Sequence, residues 1–101
     1  MRKSRPRYPK PQAVAMAAMA LERSIPMDEP WQVGWRESGK LIPNFRFLAV
    51  TGGVEWVVDV YSGGYFFVSV GKFTETLRSL PAVIRFMRIH LAAIGARDRE
   101  D

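Results

Sequence analysis

Apolar residues alternate with polar or small ones through the middle of the chain and recur at helical spacing on either side of it. Two glycine pairs, Gly52-Gly53 and Gly63-Gly64, interrupt the alternating stretch. A two-residue Gly-Gly loop indicates a hairpin, because the turns that match strand twist need positive φ, which glycine adopts without steric cost. The pattern therefore predicts three consecutive antiparallel strands over 45–70.

Treating both glycine pairs as two-residue turns predicts which side chains share a face of the sheet. The first turn opposes Arg46 to Asp59, a cross-strand ion pair, and the second opposes Val60 to Phe67. Both faces then carry large apolar groups, although an antiparallel sheet usually has one polar face. We expect a helix, a partner subunit or a ligand to cover the second face, whose predicted interface residues are Leu48, Val57, Tyr61, Phe66 and Val68.

Further elements are predicted on both sides of these strands. Residues 12–24 have helical periodicity and predict a short helix. Residues 31–36 alternate and predict a first strand. From Phe73 the period becomes helical again, and Gly95 is the expected end of a long helix.

Two residues, Thr74 and Pro81, indicate where the C-terminal helix begins. Thr74 is the expected N-cap. Pro81 should either kink the helix or open its main segment behind Ser79.

These elements predict an α+β fold of order α-β-β-β-β-α, with a four-stranded antiparallel meander between a short and a long helix. We expect a basic, proline-rich flexible arm at 1–11, one domain at 12–96 and a charged, frayed tail at 97–101. A strand meander followed by a helix is similar in outline to single-stranded nucleic-acid binders of the Pur, Whirly and transcriptional-coactivator types. This resemblance is one of topology alone.

Charge is concentrated at one end of the 101-residue chain. The formal net charge is +5, and the arm holds five cations without an acid, so residues 12–101 sum to zero. There are no cysteines, which excludes a disulfide framework and suits a reducing cytoplasm. The longest apolar run, Ala13 to Leu21, is too short to span a bilayer, so we expect a cytoplasmic protein that does not enter the membrane.

Residues suited to catalysis are sparse. His90 is the only histidine, no second metal ligand follows it at helical spacing, and no nucleophile lies near a base. Gly71-Lys72 lacks the upstream glycine and the hydroxyl that a phosphate loop needs. We therefore expect a non-enzymatic protein without metal or cofactor.

The first functional hypothesis is a small, sequence-tolerant nucleic-acid-binding or regulatory protein. The arm would contact phosphates, and aromatic residues would stack on unpaired bases. The predicted binding residues are Arg2, Lys3, Arg5, Arg7, Lys10, Trp31, Trp35, Lys72, Arg78, Arg85 and Arg88.

The second hypothesis is a compact protein-interaction module, an inhibitor or adaptor of the kind that phages and plasmids encode. It would bind a partner through the spare apolar sheet face, or bury that face in a homo-oligomer, most simply a dimer.

Overall fold

The fold consists of one antiparallel sheet with two helices. The computed structural model describes residues 8–25, 27, 29–36 and 43–99, with side chains to residue 93. Each described strand pairs with the next one along the chain. The elements are α1 (Pro11–Ser24), β1 (Gln32–Arg36), β2 (Asn44–Thr51), β3 (Val54–Tyr61), β4 (Tyr65–Val70), β5 (Phe73–Leu77) and α2 (Leu80–Arg99).

The α+β prediction is confirmed, but the described sheet has five strands and not four. The extra strand, β5, occupies a segment predicted to be helical. Phe73 and Leu77 are four residues apart, a spacing that places them on one face of a helix and equally on one face of a strand. The β-branched residues between them, Thr74 and Thr76, favour the strand. Gly71 has φ +59°, as the first central residue of a tight type II′ hairpin turn requires.

The last helix therefore begins later than predicted. Thr74 lies within β5, so the expectation that it caps the helix is wrong. The Oγ of Ser79 instead accepts a hydrogen bond of 3.3 Å from the backbone N–H of Ala82. Pro81 lies in the first helical turn, where its missing N–H leaves no bond unmade. The backbone stays helical through Gly95 to Arg99, so the predicted stop at Gly95 is also wrong.

The first hairpin has the predicted register. Gly52 and Gly53 both have positive φ, 60° and 73°, and Phe47 lies opposite Val58. This register places the apolar side chains of β2 and β3 in the core.

The second hairpin differs from the prediction by one residue. Ser62, Gly63 and Gly64 form a three-residue connection, and Tyr61 pairs with Tyr65. A shift of one residue turns every side chain of a strand to the other face. Phe66 and Val68 therefore face the helices and are buried, so their predicted place on an exposed interface is wrong.

Both helices pack on one face of the sheet, which we call the core face. The shared core combines small and large apolar side chains of α1 and α2 with every second residue of the three central strands. Its buried members are Ala17, Leu21, Ile25, Phe47, Ala49, Trp56, Val58, Val60, Phe66, Val68, Val70, Val83 and Met87.

The opposite face of the sheet, which we call the open face, is covered by neither helix. The register arranges it in rows that run across the strands. One row contains Arg36, Asn44, Tyr61 and Tyr65. The next contains Gly34, Arg46, Asp59, Phe67 and Thr76. The third contains Gln32, Leu48, Val57, Ser69 and Thr74.

Candidate nucleic-acid interface

Two tyrosines and an arginine form a stacked group on the open face. Tyr61 and Tyr65 are directly opposite each other, with ring centroids 4.9 Å apart and ring planes 5° from parallel. The Cζ of Arg78, which follows β5, lies 5.8 Å from the centroid of the Tyr65 ring. This distance is within the range of a cation–π contact. The open face therefore presents two stacked tyrosine rings, which we call the tyrosine row, with the guanidinium group of Arg78 at one end.

Positive charge lies at both ends of the tyrosine row. Arg36 stands at the edge on β1, and Arg78 stands next to β5. Because neighbouring strands are about 4.8 Å apart, four strand intervals separate the two arginines by about 19 Å. Neither arginine makes a salt bridge within the described part of the chain. As far as the described residues go, both guanidinium groups can contact an anionic ligand.

A buried ion pair supports the second row. The Nε and Nη2 atoms of Arg46 donate to Oδ1 and Oδ2 of Asp59 at 2.7 and 2.9 Å. The pair was predicted from the sequence and is confirmed. The Asp59 side chain is only 3% exposed, and that of Arg46 is 31% exposed. The hydrogen bond from Arg46 to Asp59 raises the pKa of the guanidinium group.

Tyr61 remains a neutral hydrogen-bond donor at physiological pH. Burial raises the pKa of its phenol, and the nearby negative charge of Asp59 raises it further. A neutral phenol can stack on a base and donate its O–H to a phosphate or carbonyl oxygen.

A small depression lies beside the ion pair. Gly34 is directly opposite Arg46, and a Cβ added at Gly34 would meet no atom within 4 Å. The depression has a volume of about 180 Å³ and is lined by Arg36, Arg46 and other residues of β1 and β2, with no acid among them. Of the two arginines, Arg46 is paired with Asp59, so Arg36 supplies the charge of the depression that no acid offsets within the described residues.

The predicted nucleic-acid residues do not converge on one surface. Arg2, Lys3, Arg5 and Arg7 lie outside the described residues. Arg78 borders the open face, whereas Arg85 and Arg88 lie exposed on α2, which packs on the core face, so these three predicted binding residues do not share one surface. Lys10 immediately precedes α1, and Lys72 lies in the β4–β5 turn.

The two tryptophans also lie away from the tyrosine row. Trp31 packs against the core, and its indole N–H donates to the carbonyl oxygen of Ile25 at 3.4 Å. Trp35 points to the core face at the sheet edge, is 51% exposed, and contacts Tyr8 and Phe45 edge-on. Neither indole is placed to stack on a ligand of the open face.

The apolar part of the open face is smaller than predicted. Leu48 and Val57 do lie opposite each other on it, but Val57 is only 4% exposed. The residues that the sequence interpretation left out of the site are Arg36, Arg46, Tyr65 and Phe67. A three-residue reading of the second turn would have placed Tyr65 and Phe67 on the open face.

His90, the histidine considered in the sequence, lies on α2 and contacts its own helix and β5. The Nδ1 of His90 donates to the carbonyl oxygen of Phe86 at 2.9 Å, and its ring packs against Phe73 and Phe86. Within the residues that the structure describes, no cluster of three His, Cys, Asp or Glu side chains could hold a metal ion. Neither described helix combines the length and apolar character needed to cross a bilayer.

Comparisons of the chain with protein-family models, curated proteins and solved structures find no match.

Proposed function

We propose that this protein binds single-stranded nucleic acid on the open face of its sheet, largely without sequence preference. The observation that carries the proposal is the tyrosine row, in which Tyr61 and Tyr65 stack on each other between Arg36 at one end and Arg78 at the other. Single-strand binders combine stacking surfaces for bases with positive groups for phosphates. The open face supplies both, and Phe67 adds a third aromatic ring that is 36% exposed.

The arginines of the open face have different roles, because in the part of the chain that the structure describes only one of them is paired with an acid. Asp59 neutralises Arg46, so the role of Arg46 is mainly to hold β2 and β3 together on the open face. Arg36 and Arg78 supply the attraction for phosphates at the two ends of the row. Unpaired bases between these ends would stack on the tyrosines, which tolerate any base because each base has a π face.

Two matched pairs of variants test which surface binds. Tyr65→Ala removes a half-buried ring of the open face, and Phe73→Ala removes a more exposed ring that points to the other side. Likewise, Arg78→Gln and Arg85→Gln remove the same charge from opposite sides of the molecule. We expect Tyr65→Ala to weaken binding about tenfold or more, as loss of a stacking surface does. Arg78→Gln should weaken it about fivefold.

The measurement is fluorescence anisotropy with a labelled oligothymidylate, compared with a duplex of the same length. The duplex should bind more weakly because its bases are not free to stack. Equal losses from Phe73→Ala and Arg85→Gln would move the binding surface to the helices. No binding to the single strand at low salt would end the proposal.

The N-terminal arm is expected to supply salt-dependent affinity that is separate from stacking. Deleting residues 1–7 removes four cations while keeping Tyr8, which contacts Trp35. The slope of log K against log salt should become shallower by up to about 3, because each phosphate contact on a single strand contributes about 0.7. The same titration on a full chain with four glutamines at these positions should match the deletion. An unchanged slope in both chains would exclude the arm from binding.

A protein partner on the open face is the competing proposal, as expected of an inhibitor or adaptor. One observation favours it: Val50, which is 60% exposed, extends the apolar pair formed by Leu48 and Val57. Phe66 and Val68, the other members of the predicted apolar face, are in the core, which leaves this surface small. A failure of all oligonucleotides to bind would favour the protein partner over the nucleic acid.

A further inference from the structure

The first strand, β1, is an edge of the sheet with an unusual side-chain pattern. Among the described strands it pairs only with β2, so its outer backbone groups have no strand partner. Val33 and Trp35 are 58% and 51% exposed, although both point to the core face. Edge strands are normally protected by charged side chains, proline or a bulge. Gln32–Arg36 contains no proline, and its one charged side chain is that of its last residue, Arg36.

We propose that β1 pairs with β1 of a second copy of this chain, in antiparallel orientation around a two-fold axis at Gly34. The axis runs perpendicular to the sheet, so the helices of both copies lie on the same side. The two five-stranded sheets then form one continuous sheet of ten strands. Gly34 is the middle residue of β1, so an axis at this position pairs all five residues of β1 with those of the second copy.

The side chains of β1 are self-complementary in this register. On the core face, Val33 lies opposite the partner's Trp35, so that each copy covers the exposed apolar groups of the other. On the open face, Gln32 lies opposite the partner's Arg36, where the amide oxygen can accept from the guanidinium group. Like charges do not meet in any of these pairs, which is the condition for stable cross-strand pairing.

The other edge of the sheet does not meet this condition. Pairing β5 with itself about its central residue would place Glu75 opposite the partner's Glu75. Two carboxylates directly opposite each other destabilise a strand pair. The absence of a like-charge contact therefore favours β1 over β5 as the edge that a second copy occupies.

Gly34 provides a direct probe of the two-fold axis. Its side-chain position points to the open face, and an added Cβ would meet nothing within 4 Å. A cysteine at this position is therefore accommodated by the fold. The natural sequence contains no cysteine, so a single introduced thiol reports on one site only.

The experiment measures molar mass by light scattering after size exclusion and cross-links single-cysteine variants with a short bis-maleimide, in the absence of nucleic acid. We expect twice the 11.5 kDa mass of the chain and efficient cross-linking of Gly34→Cys. Thr76→Cys is the matched control, since Thr76 is exposed on the open face of the opposite edge strand. It should not cross-link.

Two substitutions test the energetics of the contact. Trp35→Lys should raise the dissociation constant of the dimer about 30-fold or more, as loss of a central interface residue does. Val33→Lys provides a second variant at a more exposed position, and circular dichroism checks that both remain folded. A chain that stays monomeric at all concentrations overturns the proposal. So does a dimer that both lysine variants leave unchanged, or one that cross-links only through Thr76→Cys.

This inference is independent of the proposed function, because it is measured on the protein alone. If both are correct, the two-fold axis brings together the depressions beside Gly34 in the two copies. The Arg36 side chains of the two copies then add positive charge on either side of the axis, whereas Arg46 is neutralised by Asp59. Loss of dimerisation in Trp35→Lys should in that case shorten the length of single strand that the protein covers.

Discussion

Replacing Phe66 with alanine is expected to lower the free energy of unfolding by about 3 to 5 kcal/mol. Phe66 is 8% exposed and packs in the core between the sheet and the helices. Removing its ring deletes buried apolar surface and leaves a cavity that the neighbouring strands cannot fill. Urea denaturation, followed by tryptophan fluorescence, to which buried Trp56 contributes, measures the loss.

The adjacent residue is the matched control. Phe67 points to the open face and is 36% exposed, so Phe67→Ala should lower stability by about 1 kcal/mol or less. The contrast between the two phenylalanines tests the register of the second hairpin directly. A larger loss at Phe67 than at Phe66 would mean that β4 presents its other side to the core.

Replacing Arg46 with methionine is expected to destabilise the protein by about 3 kcal/mol. The substitution keeps the length of the side chain but leaves the Asp59 carboxylate, 3% exposed, without its two hydrogen-bond donors. An unpaired buried charge is more harmful than the absence of the whole pair. Thermal and urea unfolding at neutral pH provide the measurement.

The reverse substitution should be milder. In Asp59→Asn the amide has nearly the same shape, and the 31%-exposed guanidinium of Arg46 can turn to water, so we expect a loss of about 1 kcal/mol. The double variant Arg46→Met, Asp59→Leu should recover most of the stability lost in Arg46→Met. Equal losses from the two single variants would show that the carboxylate is better solvated than its burial indicates.

The strands and helices that could be predicted from the sequence are those with strong local signals. Gly52-Gly53 predicts the first hairpin correctly because two residues with positive φ specify one turn type. The helix at 11–24 follows from its apolar periodicity. The sequence does not predict the strand at 73–77, because two apolar residues four positions apart share one face in a helix and in a strand alike.

The candidate site could not be predicted because it depends on a single residue of register. Ser62 belongs to the second turn, and the local sequence does not distinguish a two-residue from a three-residue connection there. That one residue exchanges Phe66 for Phe67 on the open face and brings Tyr65 beside Tyr61. The sequence pattern places Arg78 in a helix, so it does not predict the contact between Arg78 and Tyr65.

The order of the elements has a consequence for biosynthesis. Each described strand pairs with its sequence neighbour, so the sheet can form one hairpin at a time as the chain leaves the ribosome, with short loops to close at each step. The helix that shields Val68 and Val70 is translated only afterwards. A nascent chain that stalls before residue 80 would expose the apolar core face of the sheet to solvent. We expect such fragments to be chaperone substrates or to aggregate.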